Sequence, residues 1–237
     1  MPSEKSPTEI ALLEEMQHFL QSAVHDLRAA QRRTGIAAEL LLQSAPDSEQ
    51  TELLAQILQG LSKADELLSG ISRYANALTP GRSINVFPFS SAVRFALANL
   101  DPLIRQTGAV ISVGDLPEVP GDRDRLSELI EHLVGNSLKF RAAAPPAVDI
   151  AARRVPEGWL FSIKDNGLGI PVRYRDQLFI AFCRLEGADV PGSGLGLVIS
   201  RKIVEAHGGR IWIEDDQSAP GVTLCFTLPA ADGDRRA

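Results

Sequence analysis

The chain has 237 residues, of which 44% are hydrophobic and 23% are charged, and its formal net charge at pH 7 is −6. This length and composition fit a globular protein with one large domain or two smaller ones. The negative charge argues against non-specific binding of nucleic acid, and no apolar run approaches the roughly 20 residues that a membrane helix needs. Cys183 and Cys225 fit no metal or disulfide spacing, which favours a reduced, cytoplasmic location.

The first predicted element is a long helix over residues 8–43. Its apolar and small residues recur at alternating steps of four and three, which is typical of a helix that packs lengthwise against other helices. These seam positions are Met16, Leu20, Ala23, Leu27, Ala30, Thr34, Ala37 and Leu41.

A second helix with the same spacing follows the break at Pro46 and Asp47, and the two helices predict an αα-hairpin over residues 8–78. One hairpin has too few helices to bury both seams, so we expect a homodimer in which two hairpins form a four-helix bundle. Packing of the seams against the rest of the chain is the alternative. The second seam consists of Leu54, Ile57, Leu61, Ala64, Leu68, Ile71, Ala75 and Leu78.

The first helix carries a candidate nucleophile at His25, which the seam leaves facing solvent. Asp26 follows it directly, and a carboxylate beside an exposed imidazole can accept its proton while the other ring nitrogen attacks an electrophile. His18 has no such neighbour. An ordinary surface histidine is the alternative reading.

Residues 79–87 have the turn residues of a linker, and residues 88–230 alternate between helical and strand patterns. Hairpin strands with helices between them indicate an α+β fold, an α/β sandwich with helices on one face of a mixed sheet. We expect three helices, Ser90–Gln106, Arg123–Phe140 with Asp122 as N-cap, and Leu195–His207. The expected strands are Ala109–Val113, Ala147–Arg153, Trp159–Lys164, Arg210–Glu214 and Val222–Leu228, and residues 116–122 are expected to form a loop.

One face of the Arg123–Phe140 helix carries groups suited to a magnesium nucleotide. Asn136 follows His132 by four residues, and Lys139 and Phe140 follow Asn136 by three and four, so these residues share one face. The face offers an amide oxygen for Mg²⁺, an ammonium group for a phosphate and an apolar ring. A solvated helix face with one buried ring is the alternative.

Two glycine-containing segments add to this picture. Asp165 ends a predicted strand before Gly167 and Gly169, and its carboxylate could accept a hydrogen bond from an exocyclic amine such as that of adenine; a simple Asx turn would also fit. The later cluster GSGLGL over residues 192–197 opens a helix. Glycines allow close backbone approach, and the start of a helix attracts anions.

These segments resemble the motifs of sensor histidine kinases. VHDLRA resembles their H-box, HLVGNSLKF their N-box, DNGLGIP and GSGLGLVISRKIV their two G-boxes, and LFIAFCRL their F-box. The resemblance covers about residues 15–229 in the family's order. Phrases such as YANAL and EAHGGRIWIE are closest to the phytochrome-type branch.

The resemblance implies a kinase that transfers the γ-phosphoryl group of ATP to His25, with Asp26 taking the proton, and then to an Asp of a response regulator. It implies Asn136 as the Mg²⁺ ligand, Lys139 and Thr223 near the phosphates, and Asp165 at the adenine amine. Phe179 and Phe182 would anchor a short ATP lid. The residues implied around the nucleotide are His132, Asn136, Lys139, Phe140, Asp165, Gly167, Gly169, Phe182, Gly192, Ser193, Gly194, Leu195, Gly196, Leu197 and Thr223.

The chain departs from the family pattern at three positions. His132 replaces a residue that is often Asn in histidine kinases and is Glu in gyrase-type ATPases. Ala30 replaces a Pro that commonly bends the helix, so a straighter helix is expected. Ala29 stands where bifunctional kinases often carry Thr or Asn, which predicts weak phosphatase activity.

Two alternatives to a histidine kinase share parts of this pattern. A non-catalytic phosphotransfer hub usually has eroded G-boxes, whereas both are intact here. A gyrase-type ATPase or nucleotide switch would need no phosphoacceptor. Fewer than 20 residues precede the hairpin seam, so a separate sensor protein, or a sensor domain outside this chain, is expected to supply the input.

Overall fold

The computed structural model describes residues 7–44, 46–78, 84–181, 183, 194–214 and 220–231. One compact unit contains the first two helices, and a second contains all the elements that follow them. The domain bounds 8–78 and 88–230, with a linker at 79–87, stay a prediction.

The first unit is an αα-hairpin of α1 (Pro7–Gln43) and α2 (Ser48–Ala77). Asp47 begins α2 with a capping box, because its carboxylate accepts from the Gln50 backbone N–H while the Gln50 side chain accepts from the Asp47 N–H. The turn chemistry therefore fixes where the second helix starts.

The residues of α1 that pack against α2 are not the predicted seam residues but lie beside them on the helix. Val24 and Ala38 are buried, and Gln31 donates to the Leu61 carbonyl of α2. In contrast, Leu27 and Leu41 of the predicted seam are 54% and 56% exposed. One partner helix covers only one side of α1, so the predicted seam is left largely exposed within a single chain.

The second unit is built on a five-stranded sheet, whose strands are β2 (Val110–Val113), β4 (Ala147–Val155), β5 (Gly158–Asp165), β6 (Ile211–Ile213) and β7 (Thr223–Leu228). Across the sheet their order is β2-β4-β5-β7-β6. The β2–β4 pair is parallel and the other pairs are antiparallel, so the sheet is mixed. A separate ribbon pairs β1 (Asn85–Pro88) with β3 (Glu118–Gly121).

Three helices, α3 (Phe89–Thr107), α4 (Arg123–Lys139) and α5 (Gly196–Ala206), accompany the sheet. Asp122 caps α4 by accepting from the backbone N–H groups of Asp124 and Arg125. Phe89, Phe161 and Phe226 are fully buried, and the rings of Phe161 and Phe226 stack with centroids 4.9 Å apart. This aromatic cluster joins the start of α3 to strands β5 and β7.

The α+β class and the helical hairpin are confirmed, but the loop expected at residues 116–122 is wrong. Glu118–Gly121 forms β3 and pairs with β1, with Val86 opposite Pro120. Proline lacks a backbone donor and is tolerated in a strand with one free side, which a two-stranded ribbon supplies. The prolines of this segment therefore mark an edge strand instead of a loop.

Across the described ranges, no helix is both long and apolar enough to span a membrane. Cys183 and Cys225 are free thiols. Burial and the nearby Glu214 carboxylate raise the pKa of the Cys225 thiol to about 12.

Candidate nucleotide site and phosphoacceptor

The carboxylate of Asp165, at the end of β5, is held by three donors from three parts of the second unit. Its Oδ1 atom accepts from the backbone N–H groups of Gly167, at 2.9 Å, and Val222, at 3.0 Å. Its Oδ2 atom accepts from the Ser137 hydroxyl at 2.8 Å. A carboxylate fixed in this way has one orientation and is prepared to accept a further donor.

The backbone around Asp165 is packed too closely for additional side chains. A Cβ on Gly167 would lie 2.7 Å from the Phe140 carbonyl oxygen, and one on Gly221 would overlap the Asp165 carbonyl oxygen. The Leu168 N–H also donates to the Phe140 carbonyl at 3.0 Å. The end of α4 and the loop after β5 therefore lie side by side, and Gly169, with φ of 74°, continues that loop.

The start of α5 lies against α4. Gly194 has φ of 72°, which favours glycine, and α5 begins two residues later. A Cβ on Gly196 would lie 3.6 Å from His132 Nδ1, so the imidazole borders the first turn of α5. The structure thus brings His132 to the glycine segment, as a shared nucleotide site requires.

The imidazole of His132 has an unusual environment. Its Nε2 atom is buried and has no hydrogen-bond partner among the described residues. Glu128 Oε1 lies 3.7 Å from this atom, and the two form an ion pair only when the imidazole is protonated. His132 is therefore held next to a carboxylate on one side and the start of α5 on the other.

Asn136 is half-buried one helical turn beyond His132, and Lys139 is exposed in the last turn of α4. No group of three or more His, Cys, Asp or Glu side chains with metal-site spacing occurs in the ranges that the structure describes. The residues present suit Mg²⁺, which accepts an amide oxygen and completes its coordination with phosphate oxygens and water.

The other predicted site residues lie around this core. Phe140 ends α4 and is 40% exposed, while Thr223 is buried opposite Lys164, which places it beside Asp165. Leu195 and Leu197 flank the start of α5. Phe179, in the short 3-10 turn Asp176–Phe179, lies 5.9 Å below the Arg201 guanidinium of α5. Phe182, Gly192 and Ser193 lie outside the described residues.

The candidate phosphoacceptor lies on α1 in the first unit. His25 and Asp26 are both exposed, whereas Val24 is buried in the hairpin. One turn further on, Arg28 donates to the Ser69 hydroxyl and approaches Asp65 Oδ1 at 3.3 Å, so this part of α1 is tied to α2. The imidazole is accessible on a well-anchored stretch of helix.

Two groups that bind the Asp165 carboxylate are not among the site residues predicted from the sequence. Ser137 lies within the N-box motif but is not among the predicted site residues. Its position on the apolar side of an amphipathic helix is a signal, because a buried hydroxyl needs a hydrogen-bond partner. The Val222 N–H contributes through the backbone, and no side-chain pattern indicates such a role.

Residues 121–232 match the family model for histidine kinase-, DNA gyrase B- and HSP90-like ATPases. The matched segment covers most of the second unit. The match spans α4, the Asp165 loop, the glycine segment and β7, which are the parts that form the candidate site.

Relatives extend the likeness over both units. Cyanobacterial phytochrome A of Nostoc sp. (strain PCC 7120) is 34% identical over 93% of this chain and 29% of its own length. Adaptive-response sensory kinase SasA of Synechocystis sp. (strain PCC 6803) is 30% identical over 92% of this chain and 61% of its own length. The relationship to histidine kinases, including phytochrome-type ones, is therefore confirmed, and the chain spans less than two thirds of these relatives.

Solved structures agree on the fold. Full-length ShkA in complex with AMPPNP has a TM-score of 0.67 and 22% identity, and the match covers 90% of this chain and 47% of that one. Histidine kinase AdeS of Acinetobacter baumannii has a TM-score of 0.59 and 21% identity over 88% of this chain and 98% of its own. The order of helical hairpin and ATPase domain is shared with these kinases.

Proposed function

We propose that this chain is a two-component histidine kinase core that transfers the γ-phosphoryl group of ATP to His25 and then to an Asp of a response-regulator receiver. The observation that carries the proposal is the fixed Asp165 carboxylate within a domain of the ATPase family. An exposed His–Asp pair on a preceding helical hairpin adds the phosphoacceptor.

In this proposal the nucleotide residues act by positioning and charge. Asp165 accepts from the adenine amine, the start of α5 after Gly194 faces the phosphates, and Lys139 neutralises their charge. Asn136 would hold Mg²⁺, which supplies charge neutralisation on the phosphate oxygens. His132 borders the same helix start and adds a polar ring to the phosphate end.

The transfer step needs only a neutral imidazole and a nearby carboxylate. The Nε2 lone pair of His25 forms the N–P bond as the bond between the γ-phosphorus and the oxygen bridging to ADP breaks. The proton on Nδ1 then passes to Asp26, so that the phosphorylated ring is left neutral. In the second step, the receiver carboxylate attacks phosphorus and the imidazole leaves.

The proposal includes a homodimer, because Leu27 and Leu41 of the α1 seam are exposed in a single chain. It also includes weak phosphatase activity, because Ala29 offers no polar group to orient water one turn from His25. A sensor, in another protein or elsewhere in a longer chain, would control the hairpin.

The test is incubation of the chain with γ-labelled ATP and Mg²⁺, with His25→Ala beside the wild type. We expect acid-labile, base-stable label on the wild type and none on His25→Ala. His18→Ala is the matched control, because His18 is exposed on the same helix without an adjacent carboxylate, and it should keep its label.

Other outcomes would support one of the alternative functions. Free phosphate without labelled protein would indicate an ATPase or nucleotide switch. Label acquired from a phosphorylated receiver but never from ATP would indicate a phosphotransfer hub. Label that persists in His25→Ala would show that another residue is the acceptor.

A further inference from the structure

The histidine at position 207, in the EAHGG segment after α5, has no role in the site described above. Its ring is buried, and its Nε2 atom accepts from the backbone N–H of Asp122 at 3.0 Å. Its Nδ1 atom lies 2.7 Å from the Ile203 carbonyl in the last turn of α5. One ring therefore joins the end of α5 to the residue that caps α4.

Its partners determine the protonation of this ring. A backbone N–H can only donate, so Nε2 is an acceptor; a carbonyl can only accept, so Nδ1 carries the proton. Burial lowers the pKa of His207 and the Arg125 charge on α4 lowers it further, although the Ile203 hydrogen bond and the Asp122 carboxylate oppose the shift. The neutral ring is thus the form that makes both bonds.

The fit around the ring is close. A Cβ on Gly121, the last residue of β3, would lie 3.0 Å from the Cδ2 atom of His207 and 2.7 Å from Leu126 Cδ1. Asp122, the next residue, uses its carboxylate to cap α4 and its N–H to bind His207. The ring therefore contacts the point from which α4 starts.

The two helices run antiparallel, so this contact lies at the opposite end from the nucleotide residues. Asp122 at the start of α4 contacts His207 after α5, whereas His132 further along α4 borders Gly196 at the start of α5. The 11 residues of α5 span about 16 Å. A change of about 5° in the angle between the helices would move the far end by about 1.4 Å.

We propose that His207 is a positioning residue for the nucleotide site, which sets the relative placement of α4 and α5 through its bond to the Asp122 backbone. The inference rests on the proposed nucleotide site and adds a residue remote from it. Loss of the bond leaves the partly buried Asp122 N–H without this acceptor and removes the tie between the helix ends. A protein that has lost this bond is therefore expected to bind nucleotide more weakly, although His207 itself contacts no nucleotide.

The test measures AMPPNP·Mg²⁺ affinity by calorimetry on the full chain, for wild type, His207→Gln and His207→Asn. A Gln oxygen extends about as far as Nε2 and can accept from Asp122, whereas an Asn oxygen stops near the position of Nδ1. We expect the Gln variant to bind within about twofold of wild type and the Asn variant about tenfold more weakly. His207→Phe, which keeps ring volume without an acceptor, should resemble the Asn variant.

A stability control separates positioning from simple destabilisation. Phe226→Leu weakens the aromatic core while leaving both hydrogen-bond partners of the His207 ring in place, and binding is compared at temperatures where each variant is fully folded by circular dichroism. It should retain wild-type affinity even if its melting temperature falls as far as that of His207→Asn. KM for ATP should rise in the Asn variant, while the rate at saturating ATP changes less.

Several results would overturn the inference. Equal affinities of the Asn and Gln variants, or equal weakening in Phe226→Leu, would show that the bond has no specific effect on the site. Unfolded Asn and Phe variants beside a folded Gln variant would show that the bond maintains the whole domain. A wild-type chain that binds no nucleotide would overturn the proposed function as well, whereas normal wild-type binding with unchanged variants would overturn the positioning alone.

Discussion

The hydroxyl of Ser137, on α4, donates a hydrogen bond of 2.8 Å to Asp165 Oδ2 and so helps to fix the carboxylate. We expect Ser137→Ala to weaken AMPPNP binding by about tenfold or more, because one hydrogen bond to a charged group contributes about 1.5–3 kcal/mol. The measurement is calorimetric titration. Ser127→Ala is the matched control, because Ser127 lies on the same helix and bonds back to its own Arg123 carbonyl; equal losses in both variants would contradict the assignment.

For single residues, the sequence predicts which side chains belong to the site better than it predicts which atoms they contact. Asp165 and Gly167 stand in a recognisable motif, and the structure places them together. The Val222 N–H lies 57 positions along the chain from Asp165, and reaches it because β7 pairs with β5. Such a contact depends on strand register, which no local pattern in a single sequence encodes.

Among the elements of the second unit, α4 begins with a side-chain N-cap, Asp122. Asp122 accepts from two backbone N–H groups, whereas Asp124, two residues later, forms an ion pair with Arg123 on the surface. Asp122→Ala should lower the free energy of unfolding by about 1 kcal/mol, as loss of an N-cap does, and Asp124→Ala by a few tenths. Urea denaturation checks this, and equal effects would mean that only the charge near the helix start matters.

The long elements were predicted to within a few residues, and the differences have physical causes. Helices α3, α4 and α5 carry apolar residues at helical spacing, and Gly108 ends α3 while Asp122 begins α4, so their positions follow from local sequence. The four-residue β3, with a proline inside it, has a loop-like composition and becomes a strand only by pairing with β1. The apolar spacing of α1 predicts a seam, but the residues that α2 covers lie beside that seam, because the spacing does not encode which side a partner helix packs against.

At the scale of the whole molecule, the exposed seam of α1 predicts self-association. Light scattering should give twice the chain mass, because two hairpins can cover the seam that one leaves exposed. Leu41→Arg should shift the protein towards the monomer, since it places a charge at a position that is 56% exposed in the single chain. Glu39→Arg, on an exposed polar position two residues away, should leave the mass unchanged. A monomeric wild type would contradict the four-helix bundle.

The three internal donors on the Asp165 carboxylate also have a consequence for which nucleobase can bind. Two N–H groups occupy Oδ1 and one hydroxyl occupies Oδ2, and carboxylate oxygens together offer about four acceptor positions. Under the proposed role, the position left on Oδ2 can take an amino group but would repel a carbonyl oxygen. Guanine carries a carbonyl at the position where adenine carries its amine. The three bonds that fix the side chain would therefore also make the site bind ATP in preference to GTP.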